Sequence, residues 1–284
     1  MLPAPDQAGM SMFQYAICNE TFEGWDWEKV CGLCSRLGYT GLEVAPFTLA
    51  PRIGQVDGKT RTQLRRTAED HGLHLFALHW LLAKTEGFQV TSPDSRIRTE
   101  TANYLGELAR ACAELGGDRM VFGSPLQRKI PDGHNEEQTD ILFLDTLRQL
   151  TPHLEKTGVK FLLEPLGPSE TNYMNTARKG VELLDRINHP LFGLHLDVKA
   201  MSDDEAPVAD IIRKHAGRMG HFHANDANRK APGMGNSDFI PIMRALKDIG
   251  YQGFVSIEVF DYTPDPETIA REGLAHLKAC ANQG

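Results

Sequence analysis

Short apolar runs rich in β-branched and aromatic residues alternate along this chain with longer stretches of helical period. The runs Phe13–Cys18, Gly41–Val44, Leu73–His79, Arg119–Phe122, Lys160–Glu164, Phe192–Asp197, Met219–His223 and Phe254–Glu258 read as strands. Trp25–Leu37, Lys59–His71, Ser95–Leu115, Glu136–Lys156, Thr176–Ile187, Pro207–Lys214, Asp238–Ile249 and Pro266–Ala281 read as helices. Gly38, Gly72, Gly116, Asn188 and Gly250 stand just past helical stretches, where a left-handed residue commonly stops a helix. Strict βα alternation predicts a parallel sheet, because each right-handed crossover starts the next strand beside the last. Eight such units in 284 residues suit a closed barrel better than an open doubly wound sheet. The expected fold is α/β, a single-domain (β/α)8 barrel over residues 11–284, with residues 1–10 a flexible tail.

In such a barrel the loops after the strands gather at the C-terminal mouth, and here those loops carry the chemistry. Four consecutive strands end in a metal-binding side chain: Glu164, Asp197, His223 and Glu258. One acid at a strand end is ordinarily a solvated residue. Four in a row, each closing an apolar strand, point to a metal site, since a buried carboxylate is costly unless paired or ligated. Three carboxylates and an imidazole make an oxygen-rich set that suits Mn2+ first, with Mg2+, Co2+ and Zn2+ as alternatives. His221 and His195 lie two residues before His223 and Asp197 on the same strand faces. Each reads equally as a substrate contact or a satisfied core histidine. Glu43 and His79, with Trp80 beside it, close the second and third strands and are expected to line the pocket. Arg128, in the loop after the fourth strand, reads as an anion-binding residue or a surface ion-pair partner. Gly233-Met-Gly235 lacks the third glycine of a dinucleotide fingerprint and reads as a flexible mouth loop.

Composition narrows the partners. The formal net charge of -8 disfavours nucleic acid, whose phosphates call for a basic face. The longest apolar runs fall short of a bilayer span, and the first residues lack the basic and apolar regions of a signal peptide. Five cysteines without framework spacing suit a reducing compartment, so a cytoplasmic location is expected. The Cys31-x-x-Cys34 pair falls inside a helical pattern and reads as buried helix cysteines rather than a redox or zinc site.

With these residues in view, the sequence resembles the xylose-isomerase-like superfamily of TIM barrels, and within it the sugar (phosphate) isomerases/epimerases related to ketose 3-epimerases. The matching segments are GLEVAP (41–46), LEPLGPSETNYMNT (163–176), LHLDVKAM (194–201), GHFHANDANRKAPGMG (220–235) and SIEVF (256–260). The resemblance implies that Glu164 and Glu258 are both metal ligands and the acid/base pair, with Asp197 and His223 as pure ligands. It implies a sugar contact for Glu170 and a hydroxyl-holding role for Arg229. The sequence departs from the ketose 3-epimerases at Ala200, where they carry a sugar-contacting histidine, and the adjacent Lys199 becomes a candidate substrate contact. Endonuclease IV, a trinuclear zinc relative, also wants a histidine at Ala200 and an Asp-x-His pair where this chain reads Asn236-Ser-Asp238. DNA repair is disfavoured.

The expected activity is isomerisation or epimerisation of a keto-sugar or sugar derivative by proton transfer through an enediolate. The divalent metal would act as Lewis acid and the two glutamates would face opposite sides of the substrate. A lyase or dehydratase acting on a keto-sugar or 3-keto-glycoside shares the first step and is the alternative. A sugar-binding barrel without catalysis is a further one, though such a barrel would usually lose a ligand. Some members of the superfamily form homo-oligomers, but the sequence identifies no interface.

Overall fold

The computed structural model describes residues 13–203 and 206–284, so the expected tail at residues 1–10 lies outside the described residues. Eight parallel strands close into a barrel in sequence order: β1 (Gln14–Cys18), β2 (Gly41–Val44), β3 (His74–Leu78), β4 (Arg119–Phe122), β5 (Lys160–Leu163), β6 (Phe192–Asp197), β7 (Met219–Ala224) and β8 (Phe254–Ile257). The last strand pairs with the first, Gln14 opposite Phe254 and Ile17 opposite Ile257, so the sheet has no edge. This is the single-domain TIM barrel that the alternation predicts.

Helices α1 (Trp27–Leu37), α2 (Gly58–Asp70), α3 (Ser95–Leu115), α4 (Glu136–Thr157) and α5 (Ala177–Ile187) follow the first five strands in turn. The short α6 (Val198–Met201) and α7 (Val208–His215) follow β6, while α8 (Phe239–Asp248) and α9 (Pro266–Gln283) follow β7 and β8. Most of their starts are fixed by side-chain caps: Asp26, Asp57, Asp94, Asn135, Thr176, Asp238 and Asp265 each accept a hydrogen bond from a backbone N–H of the first turn. Trp25 and Asp238, expected inside helices, therefore stand before them. The turn α6 escapes the sequence reading because four residues display no period.

The barrel interior is layered. Near its base, a side chain at Gly41 would collide with the Phe254 ring, and one at Gly193 or Gly220 with Leu162. These glycines leave the space that the larger neighbours fill. Phe76 stacks on Phe254 at 4.2 Å and meets His221 edge-on at 5.2 Å, so an apolar floor carries a polar upper layer. The strand register shifts between Leu42 and Glu43 and again between Leu194 and His195. Both irregularities fall where the lining turns from apolar to ionisable, the place where a bulge re-aims side chains. All five cysteines are buried and unpaired, and burial raises the Cys31 thiol to about 12, which suits the packing role expected for it and Cys34. Among the described residues no helix is long and apolar enough to cross a membrane.

Candidate active site

The strand ends deliver a compact set of ligand atoms. Glu164, His195, Asp197 and His223, all buried, present one each within 4.8 Å of one another. Asp197 closes β6 and caps α6 at once: Oδ1 accepts from the Ala200 N–H at 2.7 Å and Oδ2 from the Asn225 amide at 2.5 Å. His223, on β7, lies between two acids, with Nδ1 3.1 Å from Glu258 Oε2 and Nε2 3.0 Å from Glu43 Oε2. The other oxygen of Glu258 accepts from the Trp80 indole N–H at 2.7 Å and lies 3.1 Å from His79 Nδ1. Glu164 sits 3.8 Å from His195 Nε2, too far for a hydrogen bond. A methyl group at Gly123, at the end of β4, would overlap the Glu164 carboxylate, so this glycine gives the acid its room.

Burial dominates the electrostatics. It pushes Glu164 well above the usual carboxylate range, and the charges of Glu258 and Asp197 push it further. Asp197 rises to about 6 from burial and from Glu258. Burial also works against Glu258 and Glu43. For Glu258 the charges and hydrogen bonds of His223 and His79 together outweigh it, and for Glu43 those of His223 and His221, so both carboxyls lie below their ordinary range. His195 is pushed well below its usual range by burial and the neighbouring imidazoles, and neither ring nitrogen has a hydrogen-bond partner among the described residues. Carboxylates crowded in a dry site, beside an imidazole with unused nitrogens, form a set that a divalent cation would neutralise. The residues fit such an ion.

Above them opens a cavity of ≈ 350 Å³ whose wall includes Glu164, Glu258, Glu170 and Arg229, with Trp80 and Phe260 along one side. Glu43 and His79, expected to line the pocket, lie beneath it instead, and His221 takes the core position that was one of its two readings. Glu43, His79 and His221 are fully buried. Glu43 Oε2 is 2.9 Å from His221 Nε2 as well as 3.0 Å from His223, and His79 bridges Glu258 to Glu20, whose Oε2 is 2.9 Å away. These contacts orient His223 and Glu258 rather than line the wall. Lys199 is neither solvated nor aimed into open space: its ammonium lies 2.6 Å from Glu170 Oε2 and 4.7 Å from the Phe260 ring centre. Arg128 fits neither expectation, because it is fully buried and donates to the Glu164 carbonyl at 2.5 Å. The loop carrying Gly233 and Gly235 is tied down: Asp226 accepts from the Ser237 hydroxyl at 2.9 Å, and Asn228 donates to the Met234 carbonyl at 2.9 Å.

Comparison with known proteins gives this geometry a family. Residues 31–280 match the model of the xylose isomerase-like TIM barrels. The chain belongs to this family. It is 28% identical over 251 residues to a D-psicose 3-epimerase of Ruminiclostridium cellulolyticum, covering 87% of this chain and 82% of that one. A D-psicose 3-epimerase solved with D-tagatose, from Clostridium cellulolyticum H10, superposes with a TM-score of 0.82 at 22% identity, over 94% of this chain and 99% of that one. An apo 3-keto-D-glucoside 4-epimerase of E. coli also superposes at 0.82, with 19% identity over 94% of this chain and all of the other (100%). The sequence relatives place the chain among enzymes of the isomerase class.

Within this xylose isomerase-like barrel, three side chains matter that the strand-end pattern passes over. Glu20 sits in the turn after β1 (residues 19–22) and is buried against His79. Its signal was available, since a carboxylate just past an apolar strand is the same sign that marks Glu164. Asn225 stands two residues past His223 and holds both the Asp197 carboxylate and, through Oδ1 at 2.8 Å, the Lys199 N–H. Phe260 stacks on Trp80 at 5.8 Å. An uncharged amide and an aromatic ring announce no chemistry in sequence, and their roles come from the neighbours the fold supplies.

Proposed function

We propose that this chain is a divalent-metal-dependent epimerase acting on a keto-sugar through an enediolate intermediate. The observation that carries the reading is that Glu164 and Glu258 both reach the cavity wall and both adjoin the Asp197–His223 pair. Glu164, Asp197, His223 and Glu258 would hold the cation, Mn2+ being the first choice for so oxygen-rich a set. When bound it would supply Lewis-acid stabilisation of negative charge on the substrate oxygens.

The remaining work falls to the side chains. A carbon next to a carbonyl is a weak acid, and its proton leaves usefully only toward a positioned base. Glu258 is placed to accept it, because His223 and Trp80 hold its two oxygens at the cavity wall. Glu164, which lines the same cavity, is placed to serve as the second acid/base group. Delivery on the opposite face inverts the carbon. Glu170 and Arg229 line the cavity, where they would bind sugar hydroxyls.

The test is Glu258→Gln assayed in D2O with a ketohexose or ketopentose. The parent is expected to wash deuterium into the carbon beside the carbonyl while the sugar changes configuration at constant chain length. The variant should remain folded by circular dichroism and lose at least about a hundredfold in exchange, as expected for removal of a general base. Undiminished exchange would overturn the role of Glu258. Loss of water from the sugar, or release of a second product, would replace epimerisation by elimination.

A further inference from the structure

The two acid/base groups are held by different means. Glu258 is aimed by the side chains around it, with Trp80 and His223 on its oxygens. The Glu164 carboxylate has no hydrogen-bond partner among the described residues, the His195 imidazole being 3.8 Å away. Its direction therefore depends on where its backbone is fixed. Glu164 stands one residue past β5, and the next residue, Pro165, has no N–H to continue the ladder. The Glu164 N–H still donates to the Phe122 carbonyl at the end of β4, at 3.2 Å. Its own carbonyl lies beyond the last paired residue of β5 and needs another donor. Arg128 Nη1 supplies it at 2.5 Å, and the same nitrogen lies 3.5 Å from the Phe122 carbonyl.

Burial makes Arg128 a costly donor. The side chain is fully buried, and its Nε and Nη2 have no partner among the described residues. A buried guanidinium with unpaired N–H groups lowers stability, which an uncharged donor in its place would avoid. The acids whose charges bear on it are Glu164 first and then Glu170. The segment that carries it is anchored on both sides. The Gln127 carbonyl accepts from the Val90 N–H at 2.9 Å, and the Ile130 N–H donates to the Asn172 side chain at 2.9 Å. Earlier in the same loop Gly123 leaves the room in which the carboxylate sits, since a Cβ there would lie 1.7 Å from Glu164 Oε2. One loop thus clears space for the side chain and clamps its main chain. We infer that Arg128 is a positioning residue for Glu164, fixing from behind the cavity wall the point from which that carboxylate reaches the proposed cation and the substrate. This rests on the proposed epimerase reading and adds to it a residue that meets neither.

The test is a pair of double-mutant cycles. Arg128→Met and Arg128→Lys are made in the parent and in Glu164→Gln, checked for folding by circular dichroism, and titrated with Mn2+ by calorimetry. Exchange of the proton beside the carbonyl of a ketohexose is followed in D2O with Mn2+ saturating. Arg128→Met is expected to bind Mn2+ at least about tenfold more weakly and to lose about a hundredfold in kcat, the effect of displacing a reacting group by about 1 Å. KM should stay within about threefold of the parent value, because Arg128 does not line the cavity. Arg128→Lys, which keeps a charged donor without the planar fork, should fall between the parent and Arg128→Met. On the Glu164→Gln background either change should cost less than about twofold more in Mn2+ affinity, because no carboxylate is left to aim. Losses of the same size on both backgrounds, unchanged Mn2+ affinity and kcat, or a rise in KM alone would overturn the inference and leave the epimerase reading standing. The lysine variant passes through the same cycle, so it decides the matter if the methionine variant does not fold. Weaker Mn2+ binding that vanishes in Glu164→Gln, in a protein whose parent exchanges no ketohexose proton, would uphold the link to Glu164 and remove the epimerase reading. A parent that neither binds Mn2+ nor exchanges would sink both.

Discussion

Glu43 illustrates how a side chain serves this site without meeting substrate. It is fully buried, holds His221 and His223 at 2.9 and 3.0 Å through one oxygen, and depends on them to stay ionised. Removing one partner of a buried ion pair leaves the other unpaired, so Glu43→Gln should cost about 3–5 kcal/mol in urea unfolding of the metal-free protein. The pH dependence has a definite sign. The folded-state pKa of Glu43 lies below its ordinary 4.5, so the unfolded chain binds the proton more readily. The stabilisation is complete above about pH 4.5 and is lost as pH falls from there toward the folded-state pKa. Unfolding midpoints measured from pH 7 to pH 3 should therefore drop more steeply in the parent than in Glu43→Gln. At this scale the sequence shows which strand ends are ionisable. It does not show which face the cavity and which lie under it, because that depends on the register shift before Glu43 and on the depth at which each strand stops.

Asp197 belongs to an element as much as to a site. The same carboxylate that adjoins His223 accepts from the Ala200 N–H in the first turn of α6, so strand end, helix start and candidate ligand are one construction. Asparagine caps helices about as well as aspartate but brings no charge. Asp197→Asn should accordingly keep its thermal midpoint within a few degrees in the metal-free state while Mn2+ affinity, followed by calorimetry, falls at least about tenfold. Unchanged affinity would remove Asp197 from the ligand set. Trp80 is fixed by its element in another way. Its φ of 50° is strained for so bulky a residue, and the indole N–H that results is held on Glu258. Element order, strand positions and most helix ends were legible because hydrophobic period, capping residues and terminal glycines agree. The turn α6 and the left-handed Trp80 were not, since both are imposed by the packed mouth rather than by local preference.

The whole molecule is a closed ring of strands, and the proposed cation would bind the folded form alone. An ion at a hundred times its dissociation constant adds about 2.7 kcal/mol to such a protein. Exhaustive chelation should lower the melting temperature by several degrees, and Mn2+ should restore it; a midpoint indifferent to both would argue against a resident metal. The barrel itself was readable from eight alternating units, whereas the contents of the mouth required residues from across the ring to be brought together. His79 bridges Glu20, which follows the first strand, to Glu258, which follows the last. During synthesis Glu20 leaves the ribosome more than two hundred residues before Glu258. Until that final strand arrives the proposed cation cage would lack a wall and Trp80 has no carboxylate to hold. Capture of the proposed ion would thus report that the ring has shut, and unfinished chains would be kept from drawing on the cell's supply of metal.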